Sequence, residues 1–211
     1  MTAPSHASPP IVPAPAPADD LCLEFANTLS WRGKITPTET LAGLPDLLRW
    51  LAAAGQGSSP CFATVAEWPR RHPKRAARLF AEALTLRETI FRCAFAVAAG
   101  NAIAEADFTT LNTALGDAPC RHRLVRSGEG FTWAAADVRP TAAALLAPVL
   151  WSAAELLVQA RHRSVRRCAN DECLWLFVDR SKTGSRRWCD MASCGNRAKA
   201  QRHYRRLRSG C

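Results

Sequence analysis

The chain has 211 residues, of which 48% are hydrophobic and 22% charged, and 28 Lys/Arg against 18 Asp/Glu give a formal net charge of +10. That length suits one medium domain plus a small one, and the apolar fraction excludes a wholly disordered chain. No uninterrupted apolar run reaches about 18 residues, which excludes a membrane-spanning helix as an expectation.

Residues 1–18 hold Pro9-Pro10 and Pro13-Ala14-Pro15-Ala16-Pro17, too many prolines for a helix or strand, and are expected to form a disordered leader. They carry no basic segment ahead of an unbroken apolar one, so no secretory signal is expected. The expected compartment is the cytoplasm, where thiols stay reduced. At Asp19-Asp20 the pattern changes. Two acids precede Leu21, Leu23, Phe25 and Ala26, which predicts a helix to about Leu29, with Asn27-Thr28 as a cap or turn.

Pro45 opens a second helix that Gly55 ends, and a loop runs to Pro60. From Pro73 to Ala99 apolar residues recur near helical spacing, and Gly100 stops the longest core helix. A further helix spans Ala104–Leu115. Short runs on either side of Ser127-Gly128-Glu129-Gly130 predict a β-hairpin. Pro140–His162 is strongly apolar and is expected to be a helix kinked at Pro148.

Beyond it lie Cys168 and Cys173, then Cys189 and Cys194: two pairs, each enclosing four residues, within 27 residues. That spacing is the spacing of a four-thiolate Zn2+ site, closed by its ligands and therefore structural. Disulfides compete only in an oxidising compartment. Leu174–Val178 is expected to be a strand with Arg186–Trp188 as its partner, and Asn196–Leu207 a helix whose start Asn196 caps and near which Gly195 allows a tight turn. Together these predict a treble-clef-like finger. The fold class expected is mostly α: a helical N-terminal domain with a small β-hairpin over residues 19–164, then the finger over 165–208.

Charge singles out the same end. Residues 161–211 carry fourteen Lys/Arg and four acids, leaving fourteen of each sign for the rest of the chain. A neutral body with a basic end reads as a polyanion-binding module attached to something else. The candidate contacts are Arg186, Arg187, Asn196, Arg197, Lys199, Arg202, Arg205 and Arg206, most of them on both flanks of the last helix, which suits a major groove.

Arg167-Cys168 through Cys173, Leu176-Phe177-Val178-Asp179-Arg180-Ser181, Arg187-Trp188-Cys189 and Cys194-Gly195-Asn196-Arg197-Ala198-Lys199 resemble the CGNR zinc finger. Upstream, Leu21–Thr28 and Leu48-Arg49-Trp50-Leu51 resemble the opening of the helical ABATE domain, with Glu24 where that family more often has Asp. The resemblance implies a bacterial, stress-induced transcription regulator. The leading expectation is a zinc-dependent regulator that grips duplex DNA, its N-terminal domain sensing a small effector or mediating assembly such as a homodimer. An RNA-binding module and a protein-interaction or redox-sensing finger remain open as rivals. No Walker loop, H-E-x-x-H or G-x-S-x-G is present, so no enzyme is expected, and no membrane partner.

Overall fold

The computed structural model describes residues 13–14, 20–57, 60–127, 130–135, 139–160 and 164–200. In chain order these form β1 (Pro13–Ala14), α1 (Leu21–Ala26), β2 (Leu29–Ser30), β3 (Thr38–Glu39), α2 (Leu44–Ala53), α3 (Pro60–Ala66), α4 (Trp68–Arg71) and α5 (Pro73–Ala98). They continue with α6 (Glu105–Asp117), β4 (Arg121–Ser127), β5 (Gly130–Ala135), α7 (Ala142–Leu145), α8 (Ala147–Val158), β6 (Val165–Arg167) and β7 (Leu176–Val178). A π turn, Met191–Gly195, closes the series and runs into helical backbone as far as Ala200. The fold is mostly α, with small antiparallel sheets in the orders β1-β5-β4, β2-β3 and β6-β7.

The short first helix lies within the core. In α1 the side chains of Leu21, Cys22, Leu23, Phe25 and Ala26 are buried and only Glu24 is exposed, because α5 and α8 pack on it. Burying Leu21, Leu23 and Phe25 contributes about 1.5–3 kcal/mol each, enough to hold six residues helical that would not be so alone. The Cys22 amide donates to Ser152 Oγ on α8 at 3.1 Å, and burial pushes the Cys22 thiol up to about 11, so it serves packing and not chemistry.

Helix α5 runs as its periodicity predicts, with Pro73 in the first turn, Ala76, Leu79, Ala83, Leu86, Ile90 and Ala94 forming the buried stripe, and Gly100 at φ 70° ending it. Elsewhere the fold corrects the expectations. Helix α1 stops at Ala26, and Leu29–Ser30 instead pairs with Thr38–Glu39. Pro148 does not kink one helix but opens a second: α7 ends at Leu145 and α8 starts at Ala147, so the missing proline donor falls in a first turn where none is needed. Helices α3 and α4 fill a stretch for which no helix was expected. Within the supposed leader, Pro13 and Ala14 pair with Ala134 and Trp133 at the sheet edge, where a proline's missing N–H is tolerated. The rest of that leader lies outside the described residues.

A charged network fixes the β2–β3 connection on α5. Arg87, buried in α5, donates to both oxygens of Glu39 at 2.7 Å, to Glu88 at 2.9 Å and to Thr28 Oγ1 at 3.2 Å. Arg32 reaches the same Glu88 at 2.6 Å and the carbonyl of Ala26 at 2.9 Å. Burial opposes the charge on Glu39 and Glu88, but the guanidinium bonds outweigh it and hold both carboxyls below their usual range. Consequently the loop that starts at Trp31 is held against the body, poised over the finger.

The finger is joined to the body by its core and not by a tether alone. Val165, Leu176 and Val178 belong to the main hydrophobic cluster, with β6 and β7 lying against α5. The Asn27 side chain acts as a surrogate strand for β7: Nδ2 donates to the Leu176 carbonyl at 2.8 Å and Oδ1 accepts from the Leu176 amide at 3.1 Å. Asn27→Ala leaves both of those buried backbone groups without partners, and is expected to cost about 2–4 kcal/mol in urea unfolding of the metal-loaded protein. A loss well under about 1 kcal/mol would show that water replaces the amide freely.

Candidate metal centre and basic face

Strands β6 and β7 are the two arms of a hairpin whose loop is the first cysteine pair. The Cys168 amide donates to the Trp175 carbonyl at 2.8 Å, closing the arms. Inside the loop the Asn170 carbonyl accepts from the Cys173 amide at 2.8 Å, and its Oδ1 accepts from the Glu172 amide at 3.1 Å, an Asx turn that folds the chain back on itself. Leu174 then takes the left-handed conformation, φ 55°.

The second pair comes from a different device. Asp190 caps the π turn, its carboxylate accepting from the Ser193 amide at 2.7 Å, and the Gly195 amide closes the wide ring on the Asp190 carbonyl at 3.0 Å. That wide turn brings Cys194 round to face Cys189. The two halves meet where the Ala169 amide donates to the Arg187 carbonyl at 2.8 Å.

All four sulfurs lie within 4.8 Å of one another; Cys173 and Cys189 are 3.7 Å apart, Cys189 and Cys194 3.8 Å. A tetrahedron with Zn–S of about 2.3 Å has an edge of about 3.8 Å, so the four thiols are spaced to hold one such ion. Cys168, Cys173 and Cys194 are buried, and the Asn170 amide donates to Cys194 Sγ at 3.7 Å, a bond that orients a ligand from outside the metal's own shell. Hydrogen bonds from the Cys173 and Cys189 thiols hold Cys168 well below its usual range, whereas their bonds to Cys168 push those two up. Thiols this close ionise together only around a cation, which is what a metal centre requires.

Two elements expected from sequence are placed differently. The partner of β7 is β6, not Arg186–Trp188, because closing the hairpin around the knuckle turns Val165, Leu176 and Val178 toward the helical body. Segment 186–188 is instead held by Asp179, whose Oδ2 accepts the Arg186 amide at 2.9 Å. Asn196 does not cap a helix: Asp190 does so six residues earlier, and Asn196 sits within helical backbone, donating to the Ala192 carbonyl at 3.2 Å. Gly195 has no left-handed φ, and an added Cβ would lie 2.7 Å from Sδ of Met191, an exposed side chain.

The candidate nucleic-acid residues separate into groups. Arg186 is committed within the protein, bonding the carbonyls of Trp188 and Cys189 and stacking on Phe177 at 4.6 Å. Arg187 stands exposed over Trp188 at 5.5 Å, and Lys199 is exposed. Arg197 is exposed too, its guanidinium 4.6 Å above the ring of Trp31 from the N-terminal body. Arg202, Arg205 and Arg206 lie outside the described residues, as do Tyr204 and Leu207 of the expected packing face.

Sequence reading missed the body's side of this site. Trp31 packs against the cysteine cluster in a left-handed conformation, φ 54°, which costs a bulky residue about 1–3 kcal/mol. Two residues on, the Gly33 amide donates to the Glu172 carbonyl at 3.1 Å. No local pattern marks either residue; only the Trp31-Arg32-Gly33 triplet following a buried helix sets them apart.

A helical body that seats a four-cysteine finger against its core defines a two-part protein of the zinc-finger class. The chain belongs to the ABATE family, described as "Putative stress-induced transcription regulator", whose profile matches residues 19–160; the CGNR zinc finger profile matches residues 164–207. No curated protein matches it. Among the described residues, no helix is long and apolar enough to cross a membrane.

Proposed function

We propose that the chain is a zinc-dependent regulator whose finger grips duplex DNA in the cytoplasm, with no catalysis of its own, while the helical body senses an effector or mediates assembly. What carries this reading is the segregation of charge: the whole excess of +10 falls on the end that holds the four clustered cysteines. Arg187, Arg197 and Lys199 are exposed beside the four cysteines, available to phosphates, while Arg186 contributes by stiffening the segment that carries Arg187. Zinc is the fitting ion because four soft thiolates at tetrahedral spacing close its coordination sphere. A cleft of about 520 Å³ between α5, α6 and α7, with Thr85, Thr109, Thr110 and Thr113 among its walls, suits an effector with hydrogen-bonding groups.

If six to eight cations meet phosphate, the affinity of the zinc-loaded protein for random duplex DNA falls with salt on a log–log slope of about −5 to −7. Changing Arg187, Arg197 and Lys199 together to alanine is expected to remove about three units of that slope, read by fluorescence anisotropy at several salt concentrations. Absence of salt-sensitive binding by the wild type sinks the proposal. One observation favours RNA as the polyanion: Trp175 is 37% exposed on the finger, where an unpaired base could stack. Tighter binding to single-stranded RNA than to duplex DNA in the same assay decides for it.

A further inference from the structure

Two cations from opposite ends of the sequence meet on one indole. The ammonium of Lys34, on the β2–β3 connection of the body, lies 4.4 Å from the centroid of the Trp31 ring, and the guanidinium of Arg197, on the finger, lies 4.6 Å from it. The separation of the two charges is therefore bounded by those two distances combined. Among the described residues neither cation has a carboxylate within ion-pair distance, and both are exposed. The ring's negative face draws them in, yet they repel each other, and the attraction leaves the pair with unspent positive charge.

The platform between them is built rather than incidental. Trp31 is locked by its packing on the cysteine cluster, by the Gly33–Glu172 bond on one side and by the Arg32–Glu88 pair on the other. A phosphate would reach both by presenting a separate oxygen to each nitrogen, at about 2.8 Å, since one oxygen alone bridges only about 5.6 Å. We propose that Lys34 and Arg197, held on Trp31 across the junction of body and finger, form a composite phosphate-binding site, so that the helical body itself contacts the backbone of bound DNA. This rests on the DNA-binding reading above, and adds a contact from a domain to which sequence assigned only sensing or assembly.

The test uses full-length, zinc-loaded protein and a random DNA duplex, with anisotropy read across salt concentrations for wild type, Lys34→Gln and Lys74→Gln. Lys74 is exposed at the start of α5 and controls for the lost unit of charge. Lys34→Gln is expected to shallow the salt slope by about 0.9 and to shrink the affinity lost between about 50 and 200 mM salt by about three-fold, with Lys74→Gln close to wild type. If Lys34→Gln is indistinguishable from Lys74→Gln while the wild type keeps its steep slope, the composite site is wrong and the finger binds alone. If the wild type itself shows no salt-dependent binding, the DNA reading fails together with it.

Discussion

Removing the zinc is expected to unfold the finger and, in the same transition, to weaken the helical body. Structural zinc in finger-sized modules is worth about 10–16 kcal/mol of apparent binding free energy, and a hairpin whose tip is the metal knuckle has little else to hold it. Here the loss spreads further. Val165, Leu176 and Val178 cover the core that α1 and α5 build, and the Asn27 side chain is bonded to the backbone of Leu176. Fraying β6 and β7 exposes part of that cover and orphans a buried amide, a loss to the body of about 4 kcal/mol, which for a chain of this size lowers Tm by about 8–16 °C. Cys189→Ser, or a strong chelator, followed by tryptophan fluorescence and far-ultraviolet circular dichroism during heating, measures both parts together. Two separate transitions, with the body's Tm unchanged, would mean that the finger hangs as an independent bead.

Gly33→Ala is expected to be the most damaging added methyl among the glycines of the described residues. Its Cβ would lie 1.8 Å from the carbonyl oxygen of Asp171 and 2.9 Å from Cα of Glu172, both backbone atoms of the metal knuckle, which cannot step aside without moving the ligands. Gly195→Ala supplies the comparison within the same protein. There the added Cβ meets the sulfur of Met191 at 2.7 Å, but that side chain is 52% exposed, flexible, and free to swing away. Overpacking a site that cannot relax costs about 1–3 kcal/mol or more, so Gly33→Ala should separate body from finger where Gly195→Ala is nearly silent. Urea unfolding of both variants, with hydrogen exchange at Gly33 and Asn27 to read the junction, tests this. Equal stabilities for the two variants would refute the close approach.

These expectations concern contacts that local sequence cannot express. The four cysteines announce themselves because ligand spacing is a property of a short stretch, and the stripe of α5 because helical periodicity is too. The fold class, the long helix, the hairpin β4–β5 and the clustering of the four cysteines were legible for that reason. The strand partner of β7 was not, since Arg186–Trp188 and Val165–Arg167 are both acceptable partners by propensity, and the choice falls to the apolar face that the body presents. Asn196 resembles a cap in isolation, yet Asp190 takes the role once the π turn begins the helix early.

What sequence determined by itself was therefore the four-cysteine cluster, the mostly helical body and the concentration of positive charge at one end, each written in residues near one another along the chain. Tertiary structure alone decided that Asn27 would complete a strand 149 residues away, that Gly33 would leave room for the knuckle, and that Lys34 and Arg197 would both meet the ring of Trp31. Each of those depends on two distant segments arriving at the same place, and a residue carries no local mark of a neighbour that only the packed core brings to it.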